Sequence, residues 1–218
     1  MSLPAAKRAL DIALAALGLI VLAPVFAIVA IAVKVDSRGP VFFRQERVGR
    51  AGRLFRIFKF RTMVRDADRL AANVSTSRDP RLTRVGAFLR TSFLDEAPQL
   101  LNVLRGDMSL VGPRPETPEY AVLFTPEERR ILAVRPGMAG PSTLAHSREE
   151  AAILARQPDP GRYYREHLLH ERASTDLQYL EQPSLAEDIR ILARTALFVV
   201  SGVAAVLRSR PKTSAREA

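Results

Sequence analysis

Residues 94–116, "LDEAPQLLNVLRGDMSLVGPRPE", begin with two adjacent acids and end with an arginine between two prolines. The acids are Asp95 and Glu96. The arginine is Arg114, and its neighbours Pro113 and Pro115 restrict the backbone around it. The leucine-rich run between them predicts a helix. The stretch therefore brings a pair of carboxylates and a rigidly held cation close together along the chain.

Both ends of this helix can be predicted from residue types. Ser92 and Asp95 match a capping box, which predicts that the helix begins close to these residues. Gly106 is the residue type that commonly follows a last helical turn. We therefore expect a helix that runs to about residue 105.

The residues alone leave two interpretations of the acid pair open. Negative charge at a helix N-terminus stabilises the helix by about 0.3–1 kcal/mol, so the pair could be a simple cap. In the other interpretation one carboxylate attacks a phosphorus atom and forms an acyl phosphate. That attack requires a metal ion and nearby cations to neutralise the phosphate, and Arg90 and Arg114 are candidates for the cations.

The composition favours an anionic partner. The chain has 218 residues, enough for one domain, and a net charge of +10. A nucleic acid, an acidic membrane surface or a phosphorylated substrate would suit this charge. Aromatic residues make up only 6% and there is no Trp, which argues against a base-stacking platform for single strands. The absence of Cys excludes disulfides and thiolate chemistry.

An uncharged apolar run of 22 residues occupies positions 12–33, about the length that crosses a bilayer as a helix. A signal peptide and a transmembrane anchor are two interpretations. Pro24 in mid-run and basic residues on both flanks favour a third, a re-entrant helix-hairpin with both ends on the cytoplasmic side. We expect residues 1–36 to form this membrane unit, residues 37–208 a catalytic domain, and residues 209–218 a basic disordered tail.

Residues 41–48 and 53–62 are rich in β-prone residues and flank a turn with Gly49 and Gly52, which predicts a β-hairpin. Alternation places Lys59 and Arg61 on one face of its second strand, either as a phosphate-binding wall or as a face contacting lipid headgroups. The apolar run at 195–207 is too short to span a membrane and predicts an interfacial helix. The expected fold class is α+β, mainly α, with interfacial amphipathic helices around a cytosolic catalytic core.

Four motifs in this order, "KRALDIAL", "GPVFFRQERVGRAGRLFRIFKFRTM", "RTSFLDEAPQLLNVLRGDMSLVGPRPE" and "RPGMAG", resemble the catalytic core of the bacterial monotopic phosphoglycosyl transferases. The resemblance implies transfer of a phosphosugar from a UDP-sugar to polyprenyl (undecaprenyl) phosphate, with release of UMP and initiation of a surface glycan. It also implies contact with membrane lipids, a place in the bacterial inner membrane with the catalytic domain on the cytoplasmic face, and Mg²⁺ as cofactor. No nucleic-acid partner is expected, and a homodimer and the identity of the sugar are left open.

The resemblance implies a role for each site residue. Asp95 would attack the sugar-bearing phosphate and form a covalent phosphosugar-aspartate, and Glu96 would ligate Mg²⁺. Lys59, Arg61 and Arg114 fall on basic motif positions of the family. Together with Arg90, which is a candidate from its position near the acid pair, they are expected to bind the substrate phosphates.

One segment departs from the family pattern. Residues 141–146 read "PSTLAH", where an apolar-aromatic-Gln stretch is expected, and this leaves nucleotide or sugar recognition open. Two alternative functions also stay open. One is a direct single-displacement transferase with the same substrates, in which Asp95 is a base or a metal ligand. The other is a membrane-tethered basic nucleic-acid-binding protein, although no helix-turn-helix pattern is visible.

Overall fold

The computed structural model describes residues 3–67 and 79–208, which form a mainly helical protein with two small sheets. The α-helices in chain order are α1 Leu3–Asp36, α2 Arg84–Thr91, α3 Leu100–Arg105, α4 Pro118–Ala121, α5 Pro141–Leu154, α6 Pro160–Tyr163, α7 Leu169–Glu181 and α8 Leu185–Arg208. The strands are β1 Phe42–Val48, β2 Leu54–Phe60, β3 Ser109–Val111 and β4 Gly137–Ala139. The prediction of a mainly α structure with a small hairpin is confirmed. The tail at 209–218 lies outside the described residues.

The first helix, α1, runs through Pro24 without ending there. Its buried positions recur every three or four residues and include Ala15, Val29 and Val33, so one face packs against the rest of the protein. The opposite face is apolar and exposed, and Ile20 is 73% exposed. Among the described residues, α1 alone is long and apolar enough to cross a membrane. An apolar outward face of this length is suited to lipid rather than water.

Both ends of α1 are attached to the same folded core. Near its start, Asp11 is buried and accepts hydrogen bonds from the Leu110 backbone N–H at 3.0 Å and the Ser109 hydroxyl at 2.9 Å. At its end, the Asp36 carboxylate accepts from the Val85 N–H at 2.8 Å. The two ends therefore lie against one body of protein.

The hairpin formed by β1 and β2 is antiparallel, with Phe42 opposite Phe60 and Val48 opposite Leu54. A short 3-10 turn at Arg50–Gly52 joins the strands, so the predicted hairpin is confirmed. Phe60 is almost fully buried and packs edge-on against Phe26 of α1, with ring centroids 5.2 Å apart. The hairpin is thus fixed against the N-terminal helix at its open end.

A second sheet was not predicted. Strands β3 and β4 pair in parallel, with Ser109 opposite Gly137 and Val111 opposite Ala139. The backbones of these two segments approach so closely that a Cβ on Gly137 would lie 2.1 Å from the backbone nitrogen of Gly112. Only glycine fits at that position.

The capping box predicted at Ser92 is wrong. Ser92 ends α2, and its hydroxyl donates to the carbonyl of Phe88 at 2.8 Å instead of capping the next helix. Phe93 then adopts a left-handed conformation, with φ 58°, and turns the chain into a 3-10 helix, Leu94–Gln99, that precedes α3. The predicted end is confirmed, because Gly106 takes φ 90° after α3.

The C-terminal part is more helical than predicted. Residues 141–146, where the family pattern is broken, form the first turns of α5. A π-helical turn, Tyr164–Leu168, interrupts the helical stretch predicted near 163–180. The apolar run at 195–207 lies within α8, whose exposed Leu197 and Val200 are compatible with an interfacial role that stays a prediction.

Candidate functional site

The 3-10 turn at Leu94–Gln99 brings the acid pair against β2 and the loop after β3. Asp95 is only 7% exposed. One carboxylate oxygen of Glu96, Oε1, lies 2.6 Å from Lys59 Nζ and 3.4 Å from Arg114 Nη2. The Glu96 and Lys59 side chains are 15% and 16% exposed. The structure thus joins Glu96 to two of the four predicted phosphate-binding cations.

The two neighbouring acids have opposite electrostatic environments. Burial raises the pKa of Asp95, and the nearby negative charge of Glu96 adds to this, although Lys59 and Arg90 act against it. Burial also acts to raise the pKa of Glu96, but the attraction of Lys59 and Arg114 outweighs it and holds that pKa well below its usual range. Glu96 is therefore ionised and paired, whereas Asp95 is a desolvated carboxyl without so close an ion pair.

Arg114 is held at its backbone as well as by its prolines. Its N–H donates to Asp176 Oδ2 at 2.9 Å, and the other oxygen of Asp176 accepts from the Ser142 N–H at 3.2 Å. The attraction of Glu96 raises the pKa of the Arg114 guanidinium. Asp176 was missed in the sequence, because an acid in the middle of a polar helix carries no local sign that it holds a loop 62 residues away.

A cavity of about 570 Å³ opens beside Asp95 and is lined mainly by polar and cationic residues. Seven cations contribute to its walls: Arg47, Lys59, Arg61, Arg65, Arg81, Arg90 and Arg114. The acids that line it are Asp66 and Asp95. Because cationic side chains outnumber acidic ones on its wall, the cavity favours an anionic ligand with several charged oxygens. A second cavity of about 290 Å³ lies at the start of α1, but its walls are mainly apolar and include neither acid of the pair.

The other two predicted cations are placed differently. Arg90 lies at the end of α2, lines the cavity, and acts to lower the pKa of Asp95. Arg61 also lines the cavity, but its Nη2 donates to the carbonyls of Val33 and Ser37, at 3.3 and 2.7 Å. Arg61 therefore sits at the end of α1 rather than on the acid pair.

Arg47 is a cavity residue that the sequence analysis missed. Its Nη1 donates to the carbonyl of Pro115 at 3.1 Å and lies 3.8 Å from Glu116. Glu116 in turn accepts from the Tyr164 hydroxyl at 2.7 Å. The alternation of β1 could have indicated it, because Arg47 and Gln45 lie on one face of that strand and both line the cavity.

The oxygen donors at the acid pair fit Mg²⁺ only if a bound ligand supplies further oxygen atoms. The described residues contain no group of three His, Cys, Asp or Glu side chains that could hold a metal. Mg²⁺ is commonly bound through one or two carboxylates together with substrate phosphates and water. Glu96 matches this pattern if a diphosphate and water supply the remaining oxygens.

These features define a general class of protein, one that is membrane-associated and has a site suited to phosphate groups. Similarity to known proteins identifies the family within this class. A family model described as "Bacterial sugar transferase" matches residues 3–202. The chain therefore belongs to the bacterial sugar transferase family, and the resemblance seen in its motifs is confirmed.

The chain is similar to several curated proteins. "Undecaprenyl-phosphate glucose phosphotransferase" of Komagataeibacter xylinus is 42% identical over 196 residues, which are 87% of this chain and 35% of that protein. "UDP-N-acetylgalactosamine-undecaprenyl-phosphate N-acetylgalactosaminephosphotransferase" of Aeromonas hydrophila is 36% identical, over 91% of this chain and 44% of that protein. "Exopolysaccharide production protein PSS" of Rhizobium leguminosarum is 37% identical, over 88% of this chain and 93% of that protein. The chain thus spans less than half the length of the first two relatives.

The family pattern is broken at residues 141–146, but this segment is not part of the described cavity wall. Within the described residues, the Ser142 N–H links this segment to the site, because it shares Asp176 with the backbone of Arg114. The departure can therefore act on the site through the Arg114 loop.

Proposed function

We propose that this protein is a phosphoglycosyl transferase that moves a phosphosugar from a UDP-sugar to polyprenyl phosphate and releases UMP, initiating a bacterial surface glycan. The observation that carries the proposal is the desolvated Asp95 beside the Lys59–Glu96–Arg114 cluster, at the wall of a cation-lined cavity. The names of the K. xylinus and A. hydrophila relatives agree with this activity. The sugar differs between them, so either a hexose or an N-acetylhexosamine is compatible.

In the first step, a carboxylate oxygen of Asp95 attacks the phosphorus that carries the sugar. The bond between that phosphorus and the UMP oxygen breaks, UMP leaves with the electron pair, and an acyl phosphate joins Asp95 to the sugar phosphate. Burial supports this role, because a carboxylate with few water contacts is a stronger nucleophile than a solvated one. Arg90 and Arg114 would stabilise the charge that develops on the phosphate oxygens.

In the second step, a phosphate oxygen of the polyprenyl acceptor attacks the same phosphorus. The new P–O bond forms a diphosphate, the acyl phosphate bond breaks, and Asp95 regains its negative charge. Both nucleophiles react as anions, so neither displacement needs a general base at the attacking oxygen. This is consistent with a site that has many cations and, among its described residues, no histidine at the cavity wall.

Glu96 would hold Mg²⁺, with diphosphate oxygens completing the coordination. The ion, when bound, would neutralise charge on the phosphate under attack. The pairing of Glu96 with Lys59 and Arg114 keeps its carboxylate ionised, as a metal ligand must be.

In this function the protein would lie in the bacterial inner membrane, with α1 as a re-entrant element and the catalytic core on the cytoplasmic face. The attachment of Asp11 and Asp36 to one core supports the re-entrant arrangement, because a simple spanning helix would separate its two ends by the bilayer. The basic flanks of the helix suit the cytoplasmic side.

The decisive experiment measures UMP release from a panel of UDP-sugars by detergent-solubilised protein, with Mg²⁺ and polyprenyl phosphate, beside an Asp95→Asn variant. Wild type is expected to release UMP with at least one sugar, and the variant to lose at least about a thousandfold in rate. Incubation with radiolabelled UDP-sugar without acceptor should leave label on wild-type protein only. Turnover without any trapped label would favour single displacement. No turnover, together with salt-dependent DNA binding, would favour the nucleic-acid interpretation.

A further inference from the structure

Arg61 is a buried cation whose charge is not balanced by the described part of the protein. It is only 6% exposed, and burial lowers its pKa without any offsetting carboxylate. Its Nε and Nη1 atoms are buried and have no hydrogen-bond partner in the described residues. Burying a charge is costly unless the charge is paired and hydrogen-bonded. Because Arg61 also lines the cavity, an anion bound there would balance its charge.

The protein holds this arginine in a built position. Nη2 donates to the Ser37 carbonyl at 2.7 Å and to the Ser37 hydroxyl at 2.9 Å. The backbone bends closely around the guanidinium at Gly39, which has φ 131°, and a Cβ there would lie 2.0 Å from Nη1. Three neutral acceptors and one glycine thus fix the orientation of the side chain without neutralising it.

The other cations of the cavity are in a different electrostatic situation. Lys59 and Arg114 share the charge of Glu96, and the charges of Arg47 and Arg114 also affect one another. Arg61 is not part of this group, since burial lowers its pKa and none of the described charged residues contributes to that shift. The cavity wall therefore includes a cation, at the end of α1, that lies outside the charge cluster around Glu96.

The Arg61 region adjoins apolar surface. Phe43, Phe60 and Met63 line the cavity with it. Phe42 stacks on Phe60 with ring centroids 5.4 Å apart and is itself 37% exposed. The Arg61 acceptors lie in the last turn of α1, at Val33, and just after it, at Ser37, and the same turn exposes Val35. A phosphate bound here could have an apolar chain attached to it, lying along α1 towards the lipid.

We propose that Arg61 binds the phosphate of the lipid acceptor, a phosphate monoester on a long apolar chain, while the acid-pair region binds the donor diphosphate. This inference rests on the proposed function for its two substrates. Separate regions for two anions let the acceptor approach Asp95 from the membrane side after UMP has left. Arg61 then acts in acceptor binding and makes no contribution to the first displacement.

The first test measures KM for each substrate in Arg61→Gln. Loss of a charge-assisted hydrogen bond predicts a KM for polyprenyl phosphate at least about tenfold higher, with KM for UDP-sugar changed by less than about twofold. Arg61→Lys keeps the charge and should show a smaller increase in KM for polyprenyl phosphate. This variant replaces Arg61→Gln in the test if the Gln variant does not fold. Arg56→Gln, which removes an exposed cation from the same hairpin, is the control and should leave both KM values unchanged. A raised KM for UDP-sugar would mean that Arg61 binds the nucleotide and would overturn the inference, as would unchanged values for both substrates.

The second test needs no turnover. Thermal unfolding of the detergent-solubilised protein is followed with farnesyl phosphate, with farnesol, and with UDP. Farnesyl phosphate should stabilise wild type more than farnesol does, and this difference should vanish in Arg61→Gln while the UDP response remains. Equal responses to farnesyl phosphate and farnesol in wild type would refute acceptor binding at Arg61. A phosphate-dependent response in a protein that turns over no UDP-sugar would instead refute the proposed function and leave the anion site standing.

Discussion

Removal of Lys59 should leave Glu96 as a buried carboxylate whose remaining ion-pair partner is Arg114. In the Lys59→Met variant the 2.6 Å contact to Glu96 is lost, and Arg114 remains at 3.4 Å. Breaking a buried ion pair from one side costs about 3–5 kcal/mol, and we expect the lower end because both side chains retain some exposure. For a protein of this size, about 3 kcal/mol corresponds to a fall in Tm of roughly 6–12 °C.

The double variant Lys59→Met/Glu96→Gln separates this cost from lost packing. With both charges gone, no carboxylate is stranded, so the double variant should be more stable than Lys59→Met alone. Thermal or denaturant unfolding of wild type, both single variants and the double variant completes the cycle. The coupling between the two sites should exceed about 1 kcal/mol. If the effects of the two single substitutions simply add, the buried pair does not contribute as described.

Asp176 and Gly137 lie outside the acid pair and hold the backbone around Arg114 and Gly112 in place. Burial raises the pKa of Asp176 to about 6, so between pH 4 and 6 the folded state binds more protons than the unfolded state, and stability should fall as pH rises. Asp176→Asn should lack this decrease, which amounts to about 2 kcal/mol between pH 4.5 and pH 7 and is measurable as the Tm difference from wild type at these two pH values; parallel pH profiles would contradict it. Gly137→Ala should cost more than about 3 kcal/mol of unfolding free energy, because its Cβ would overlap Gly112, and a cost below 1 kcal/mol would refute the close approach.

Local patterns in the sequence were sufficient for several elements. The β1–β2 hairpin follows from β-prone runs on either side of a turn with Gly49 and Gly52, and both signals depend on near neighbours in the chain. The end of α3 at Gly106 follows from the freedom of glycine at positive φ. The acid pair, Arg114 and Lys59 could be named as candidates because their residue types and motifs are visible without a fold.

The predicted capping box failed for a tertiary reason. Ser92 matches the pattern of a helix start, yet the preceding helix extends to it and uses its hydroxyl for its own carbonyls. Which of two adjacent helices recruits a residue depends on how both pack. Phe93 then takes a left-handed conformation, which residue type alone gives no reason to expect.

Local sequence patterns were enough to predict the apolar N-terminal helix, the hairpin and the residue types available for phosphate chemistry. Which of those residues act together follows from the packing of distant segments. Packing brings Lys59 and Arg114 to Glu96, holds the Arg114 backbone on Asp176, and places Arg61 at the end of α1. The physical reason is that periodicity and turn chemistry are local, whereas burial and charge pairing arise between segments far apart in the chain. The desolvation that distinguishes Asp95 from its neighbour therefore exists only in the folded protein.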